Sequence, residues 1–304
     1  MENKERSNRY ATFYKNRALR IFPLYYLVLI IIFSCIFIKR GHFYWSLSDP
    51  ENPAVYFLFV QNWRFIIEKV SHIPSLDHTW SLDVEEQFYL VWPLVLYTFY
   101  SIKHFKSVLW VLVAAIPVIR CITYFINPHY TPPYLFYFNT FCRIDTIIWG
   151  ALIYFIVPKE HTFKLLKTAA LISLTILIAG LFLVKNTLNL GPFFSTIGYT
   201  LVACIYAAVI YRAVNWPQSA IAVFFRRPFL RKIGKISYGL YLLHLPVFRI
   251  VKSQCIALTQ NYFTVPRALV VSFSIVISAL LTYLLCYISY YYFESYFLKQ
   301  KNKL

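Results

Sequence analysis

His78-Thr79-Trp80-Ser81-Leu82-Asp83-Val84-Glu85-Glu86-Gln87 leads directly into Phe88-Tyr89-Leu90-Val91-Trp92-Pro93-Leu94. Three carboxylates and an imidazole stand at the threshold of an aromatic, apolar run. Charge beside hydrocarbon is costly, so such groups need partners or a task. The apolar run is one of many in this chain, and that repetition decides the fold class.

The 304 residues are 59% hydrophobic and only 14% charged. Soluble domains carry about 25% charged residues. Apolar runs near twenty residues recur along the whole length, and hydrocarbon is their natural solvent. Eight runs stand out: Ile21–Ile38, Gln87–Ile102, Val108–Ile126, Tyr134–Val157, Leu165–Val184, Phe193–Tyr211, Ile236–Val251 and Ala268–Tyr292. Ala54–Ile67 is a ninth, too short and interrupted to span comfortably. The expectation is an all-α, polytopic membrane helical bundle of about eight transmembrane helices. It forms a single domain over 1–304, with no internal repeat or second soluble domain.

Net charge is +18. Such a value often signals nucleic acid, but the basic residues here lie in short loops between apolar runs. They report orientation instead. With Ala54–Ile67 not crossing, 20 of the 30 Lys and Arg fall on the side of the N-terminus, seven on the other, and three (Arg120, Arg143, Arg249) within spans. A crossing at Ala54–Ile67 would invert every later loop. Both termini are therefore expected on the cytoplasmic side, with 1–20 a cytoplasmic basic tail and 39–86 an outer loop. Ala54–Ile67 becomes an interfacial or re-entrant segment. No nucleic-acid partner is expected; membrane lipid is. The polar, basic start is not a cleavable signal peptide, so the first span acts as its own signal. The six cysteines are scattered, without a CxxC pair, and read as small buried hydrophobes, not metal ligands.

Several polar residues sit where lipid would not tolerate them idly. Asp83 with Glu86 three residues on has the look of a capping box opening a helix. That explains two acids but not their place beside His78 at a membrane surface. Arg143 and Asp145, two apart, cannot face each other on a helix; each should find a partner on another helix. Arg120 and Arg249 pose the same question of a partner on another helix, with weaker support, since both approach span ends and can snorkel. His244 shares a helical stripe with Ser237, Tyr241 and Phe248, where a lone His is more often structural than a base. Lys15, Arg17 and Arg20 anchor a span boundary, and can also grip phosphates, since Arg recognises them bidentately. No Gly-rich phosphate loop, HExxH or GxSxG elbow occurs.

Five pieces in order resemble the acyltransferase 3 family of integral membrane O-acyltransferases. They are Arg17-Ala18-Leu19-Arg20-Ile21-Phe22-Pro23-Leu24-Tyr25-Tyr26; Trp80-Ser81-Leu82-Asp83-Val84-Glu85-Glu86-Gln87-Phe88-Tyr89; Arg143-Ile144-Asp145 before Gly150; Ile236 to His244; and Phe293-Glu294. The resemblance implies transfer of an acyl group, commonly acetyl from acetyl-CoA, to a hydroxyl of a cell-surface polysaccharide or related glycan. No permanently bound cofactor is implied; acyl-CoA is a donor substrate. It further implies Lys15, Arg17 and Arg20 on the donor phosphates, and Glu85, Glu86, His78, Arg143 and Asp145 around the chemistry. Members usually begin with two further spans, the first carrying Arg or Lys eleven positions before a catalytic His. None of the seven His here has that spacing, so the sequence is expected to start in the loop before the family's third span. The alternative is a catalytically impaired remnant, or a glycan- or lipid-binding transport subunit.

Overall fold

The computed structural model describes residues 2–41, 52–68, 73–101, 103–126, 133–184, 191–262 and 266–302. Parts of the outer loop 39–86 lie outside these, as do the side chains of residues 1–8. Among the described residues every regular element is helical. In chain order they are α1 (Glu2–Arg40), α2 (Pro53–Phe57), α3 (Gln61–Glu68), α4 (Trp80–Phe99), α5 (Phe105–Ile126), α6 (Pro133–Phe138), α7 (Ile144–Phe155), α8 (Glu160–Val184), α9 (Tyr199–Asn215), α10 (Ala220–Phe225), α11 (Pro228–Tyr262), α12 (Arg267–Ser289) and α13 (Ser295–Lys299). Five helical stretches are long and apolar enough to cross a membrane: Arg9–Lys39, Phe105–Ile126, Glu160–Leu183, Phe194–Asn215 and Arg267–Lys299. The other expected spans fall on α4, whose first turns carry Asp83, Glu85 and Glu86, on the twelve-residue α7, and on α11, which opens with Arg231, Lys232 and Lys235.

The chain divides into two compact units. The first comprises Met1–Val60, Ser71–Trp80 and Phe229–Leu304; the second comprises Gln61–Val70 and Ser81–Pro228.

In the first unit, α1 carries the C-terminal end of α2 through hydroxyl-to-backbone bonds. Tyr25 donates to the Tyr56 carbonyl at 2.9 Å and Tyr26 to that of Phe57 at 3.3 Å. Asn52 caps α2, accepting from the Ala54 N–H at 2.8 Å. The helix stops because Phe59 turns into the left-handed region, φ 55°. That conformation is unfavourable for a bulky residue; stacking of the Phe59 ring on Tyr25, centroids 4.5 Å apart, holds it. Ala54–Ile67 is therefore two short helices, in keeping with a segment that does not span. Farther along, Tyr238 of α11 donates to the Ile21 carbonyl at 2.8 Å. A side chain on Gly239 would meet the Cys286 sulfur at 3.3 Å and Glu294 Oε1 at 3.5 Å. Glycine thus lets α11 approach α12 and the π-helical turn Tyr290–Glu294 closely.

In the second unit, α5, α7, α8 and α9 share a core of Leu109, Val113, Leu152, Leu166, Ala207 and Tyr211. The Tyr211 hydroxyl donates to the Val157 carbonyl at 2.9 Å and so ties α9 to the end of α7. Two expectations are corrected here. Tyr134–Val157 is not one helix: α6 ends at Phe138 and α7 starts at Ile144. Asn139 breaks it, its side-chain oxygen accepting from the Phe141 N–H at 2.9 Å and offering the backbone an alternative to the helical ladder. Nor does Asp83 open its own helix, which begins three residues earlier at Trp80. Fully buried, Asp83 accepts from the Asn62 N–H at 3.0 Å and so caps α3 instead. Burial raises its carboxyl pKa well above the usual range, against the opposing pull of the Asn62 and Gln61 amides.

A neutral acceptor suffices for that cap. Asp83→Asn is expected to melt within a few degrees of the parent in detergent, whereas Asp83→Ala loses about 1–2 kcal/mol. Equal melting of the Ala variant and the parent would contradict the cap.

Candidate active site

Arg120 lies on α5 with no exposed surface. Its guanidinium has five N–H donors, and all five are used. Nε donates to the Thr196 carbonyl at 2.8 Å. Nη1 donates to the Cys142 carbonyl and to Asp145 Oδ1, the latter at 3.2 Å. Nη2 donates to Asp145 Oδ2 at 3.1 Å and to the Thr200 hydroxyl at 2.6 Å. Thr200 in turn donates to Asp145.

Irregular backbone makes this arrangement possible. Cys142 belongs to the non-helical turn between α6 and α7, and Thr196 to a π-helical turn, Phe194–Gly198, ahead of α9. Both present carbonyls off the regular ladder, as π turns at functional sites often do. Asp145 sits in the first turn of α7, where a carboxylate also meets the positive end of the helix.

Arg143, at the cap of α7, lays its guanidinium over the Tyr199 ring at 4.0 Å and lies 5.8 Å from Tyr137. These three residues line a cavity of about 500 Å³ with Thr146, Trp149 and Tyr206. A guanidinium, three phenols and an indole around one space can take a polar ligand with flat faces, by hydrogen bonding and stacking. Glu85 and Glu86 are half-buried on the second turn of α4 in the same unit.

The first unit holds a different cluster. His78 lies in a 3₁₀ turn, Pro74–Thr79, and its Nε2 is 3.1 Å from the Leu242 carbonyl. A carbonyl only accepts, so Nε2 carries the proton and Nδ1 keeps its lone pair. That Nδ1 is buried with no hydrogen-bond partner among the described residues. Tyr241 donates to the His78 carbonyl, and the His244 ring stands edge-on to His78 at 4.7 Å. Burial, then the charge of His244, lowers the His78 pKa to about 4, against the opposing effect of backbone hydrogen bonds. The imidazole is neutral in ordinary conditions.

Toward the middle of α1, Lys15 and Arg17 are half-buried and Arg20 is exposed. α1 packs against α13 and the 3₁₀ turn Gln300–Asn302 that follows it. Lys301 in that turn has its pKa lowered by burial and then by Arg20 and Arg17. Cations from both ends of the unit therefore share one locality.

The structure regroups the sequence candidates. Arg143 and Asp145 do find partners on other elements, as expected. Arg120 is the hub and not a snorkelling residue, while Arg249 is exposed and pairs with Asp77 at 3.3 Å. His78 belongs to the first unit with Tyr241 and His244, whereas Glu85 and Glu86 belong to the second. Sequence reasoning missed Tyr137, Tyr199, Thr200 and Lys301. Tyrosines and threonines are too common in such a chain to signal a site.

A family model described as an acyltransferase domain matches residues 4–292, and the chain belongs to that family. It is similar to the O-acetyltransferase OatA of Staphylococcus aureus (strain NCTC 8325 / PS 47), 27% identical over 297 residues, covering 93% of this chain and 46% of the relative. It is likewise similar to the peptidoglycan O-acetyltransferase OatA of Listeria monocytogenes, 27% identical over 259 residues, covering 80% of this chain and 41% of the relative. The chain thus spans about half the length of the curated relatives it matches. No solved structure matches it.

Breaking a buried ion pair on one side leaves a bare charge and costs roughly 3–5 kcal/mol, while replacing both partners by apolar groups costs far less. Arg120→Met or Asp145→Leu alone should lower the melting temperature sharply in detergent, and the double variant should recover most of it. Additive losses in a double-mutant cycle would show that the two side chains do not interact.

Proposed function

We propose that this membrane protein transfers an acyl group, acetyl in the simplest case, from acyl-CoA to a hydroxyl of a cell-wall glycan. The observation that carries this reading is the family match across residues 4–292, with relatives named as O-acetyltransferases. The name of the Listeria relative makes peptidoglycan the first acceptor to try.

The residues divide the task by charge. Lys15, Arg17 and Arg20 meet the donor phosphates, with Lys301 as a further cation drawn to the same anion. The gathering of like charges around Lys301 supports this, since an arriving phosphate relieves their mutual repulsion. Ester formation needs a base for the acceptor hydroxyl and donors for the developing oxyanion. Within the first unit, His78 offers an Nδ1 lone pair for such a base, on a ring whose orientation the Leu242 carbonyl fixes. Within the second unit, Arg143 offers donors to a polar ligand of the cavity it lines, and Asp145 holds Arg120 and thereby the turn that carries Arg143. Glu85 and Glu86 order the acceptor hydroxyls from α4. In the reaction the hydroxyl oxygen attacks the thioester carbonyl, its proton passes to the base, and the thiolate leaves. On this reading the N-terminus, Lys15–Arg20 and Lys301 face the cytoplasmic side of the inner membrane, where acyl-CoA is available.

Labelled acetyl-CoA supplied to membranes containing the full chain tests this reading. Arg17→Ala and Lys301→Ala should raise the donor concentration needed for half-maximal transfer several-fold, and Glu85→Ala should lower the maximal rate by about 100-fold. Parent-like transfer in all three would remove the assigned roles.

His78 gives a separate pH test. The folded ring titrates near 4 and an unfolded one near 6.5. Between those values the unfolded chain binds more protons, so stability rises with pH. The contribution of neutral His78 is complete above about 6.5 and is lost as pH falls toward 4. His78→Gln should flatten the melting temperature between pH 7 and 4.5, and an unchanged slope would contradict a neutral, buried imidazole.

A further inference from the structure

A second cavity of about 570 Å³ lies in the second unit, on the other side of α7 from the Arg143 cavity. Ile144 and Ile148 of α7 face it, while Arg143, Thr146, Ile147 and Gly150 line the first. Its long wall is a stripe on α4 at helical spacing: Phe88, Trp92, Val95 and Phe99. Eleven residues of helix rise about 16 Å, roughly half of a ~30 Å hydrocarbon core. Val108 and Leu112 of α5 form the opposite wall. At one end, Trp63, Gln87 and Thr140 close the space, and their polar groups bond to one another. The Trp63 indole donates to Gln87 Oε1 at 3.2 Å, and Thr140 donates to the same oxygen. Gln87 Nε2 donates to Asn62 Oδ1 at 3.0 Å.

The space is an open groove, with Val91, Phe99, Val108, Leu112 and Phe141 of its lining exposed, and it does not order water. A buried water needs two to four polar partners, and the walls offer none. Left empty, it would cost the dispersion contacts of every aromatic and branched side chain around it. In a bilayer the substance at hand that restores those contacts is hydrocarbon. Its length matches one chain of a single leaflet, and its lack of charge selects a tail over a headgroup. We infer that this cavity is a binding site for one hydrocarbon chain of a membrane lipid, acyl or isoprenyl, distinct from the polar cavity across α7. The inference stands apart from the transferase reading, because it concerns occupancy and not turnover.

The test is native mass spectrometry of the full chain after a delipidating wash, with phosphatidylglycerol or a polyprenyl phosphate then added back in separate arms. The parent is expected to retain one lipid per chain. Val95→Trp and Leu112→Trp, each filling the slot, should bind at least tenfold more weakly, with a melting temperature no lower than that of the delipidated parent. Leu174→Trp, on the exposed face of α8, should bind as the parent does. If Val95→Trp fails to fold, Leu112→Trp, on the opposite wall, carries the test. Saturation in the phosphatidylglycerol arm alone assigns the site to an acyl chain, in the polyprenyl arm alone to an isoprenyl chain, and in both to any hydrocarbon of that length. A parent that binds neither lipid, or filled variants that bind as tightly as the parent, overturns the inference.

Discussion

The second unit depends on one buried ion pair. Arg120 and Asp145 have no exposed surface, so neither can be solvated by water, and each must be satisfied by protein. Desolvating two charges is repaid only when geometry is good and the remaining donors and acceptors are also bonded. Here the guanidinium uses every donor, on a carboxylate, a hydroxyl and two carbonyls. Those partners come from α7, α9, the turn before α7 and the π turn before α9. A single side chain on α5 therefore fixes four elements, two of them at irregular backbone that hydrocarbon would otherwise forbid.

That anchoring explains how a polar cavity persists in so apolar a chain. Arg143 is placed by the turn that Arg120 holds through the Cys142 carbonyl, and Tyr199 begins the helix whose preceding turn Arg120 holds through Thr196. The cation, the stacked phenol and the space beside them are consequences of the same interaction. α7 then acts as a wall with two chemistries, a guanidinium and hydroxyls on one side and isoleucines on the other.

Much of the fold was legible in the amino-acid order. Apolar run length located α1, α4, α5, α8, α9, α11 and α12, because lipid demands that backbone groups be satisfied within the segment. The interruption of Ala54–Ile67 was legible in its sequence, although the reversal at Phe59 was not. The break at Asn139 was hidden by the apolar residues around it. The site was legible only in its charged members. Asp145 was expected to seek a partner on another helix, but for Arg120 an interhelical partner and snorkelling both stayed open, because position along a span does not reveal which way a side chain points. Asp83 was read as a cap for the wrong helix, since the helix it serves is twenty residues away in sequence. His78 and the Glu85–Glu86 pair are neighbours in sequence, yet belong to different compact units.

The account is tested most directly by hydrogen exchange of the full chain in lipid nanodiscs, comparing the parent with Arg120→Met at residues 139–148. If the ion pair holds the turn and the start of α7, those amides lose protection in the variant while α11 and α12 of the other unit are unchanged. Unaltered protection at residues 139–148 would contradict the claim that Arg120 organises the site.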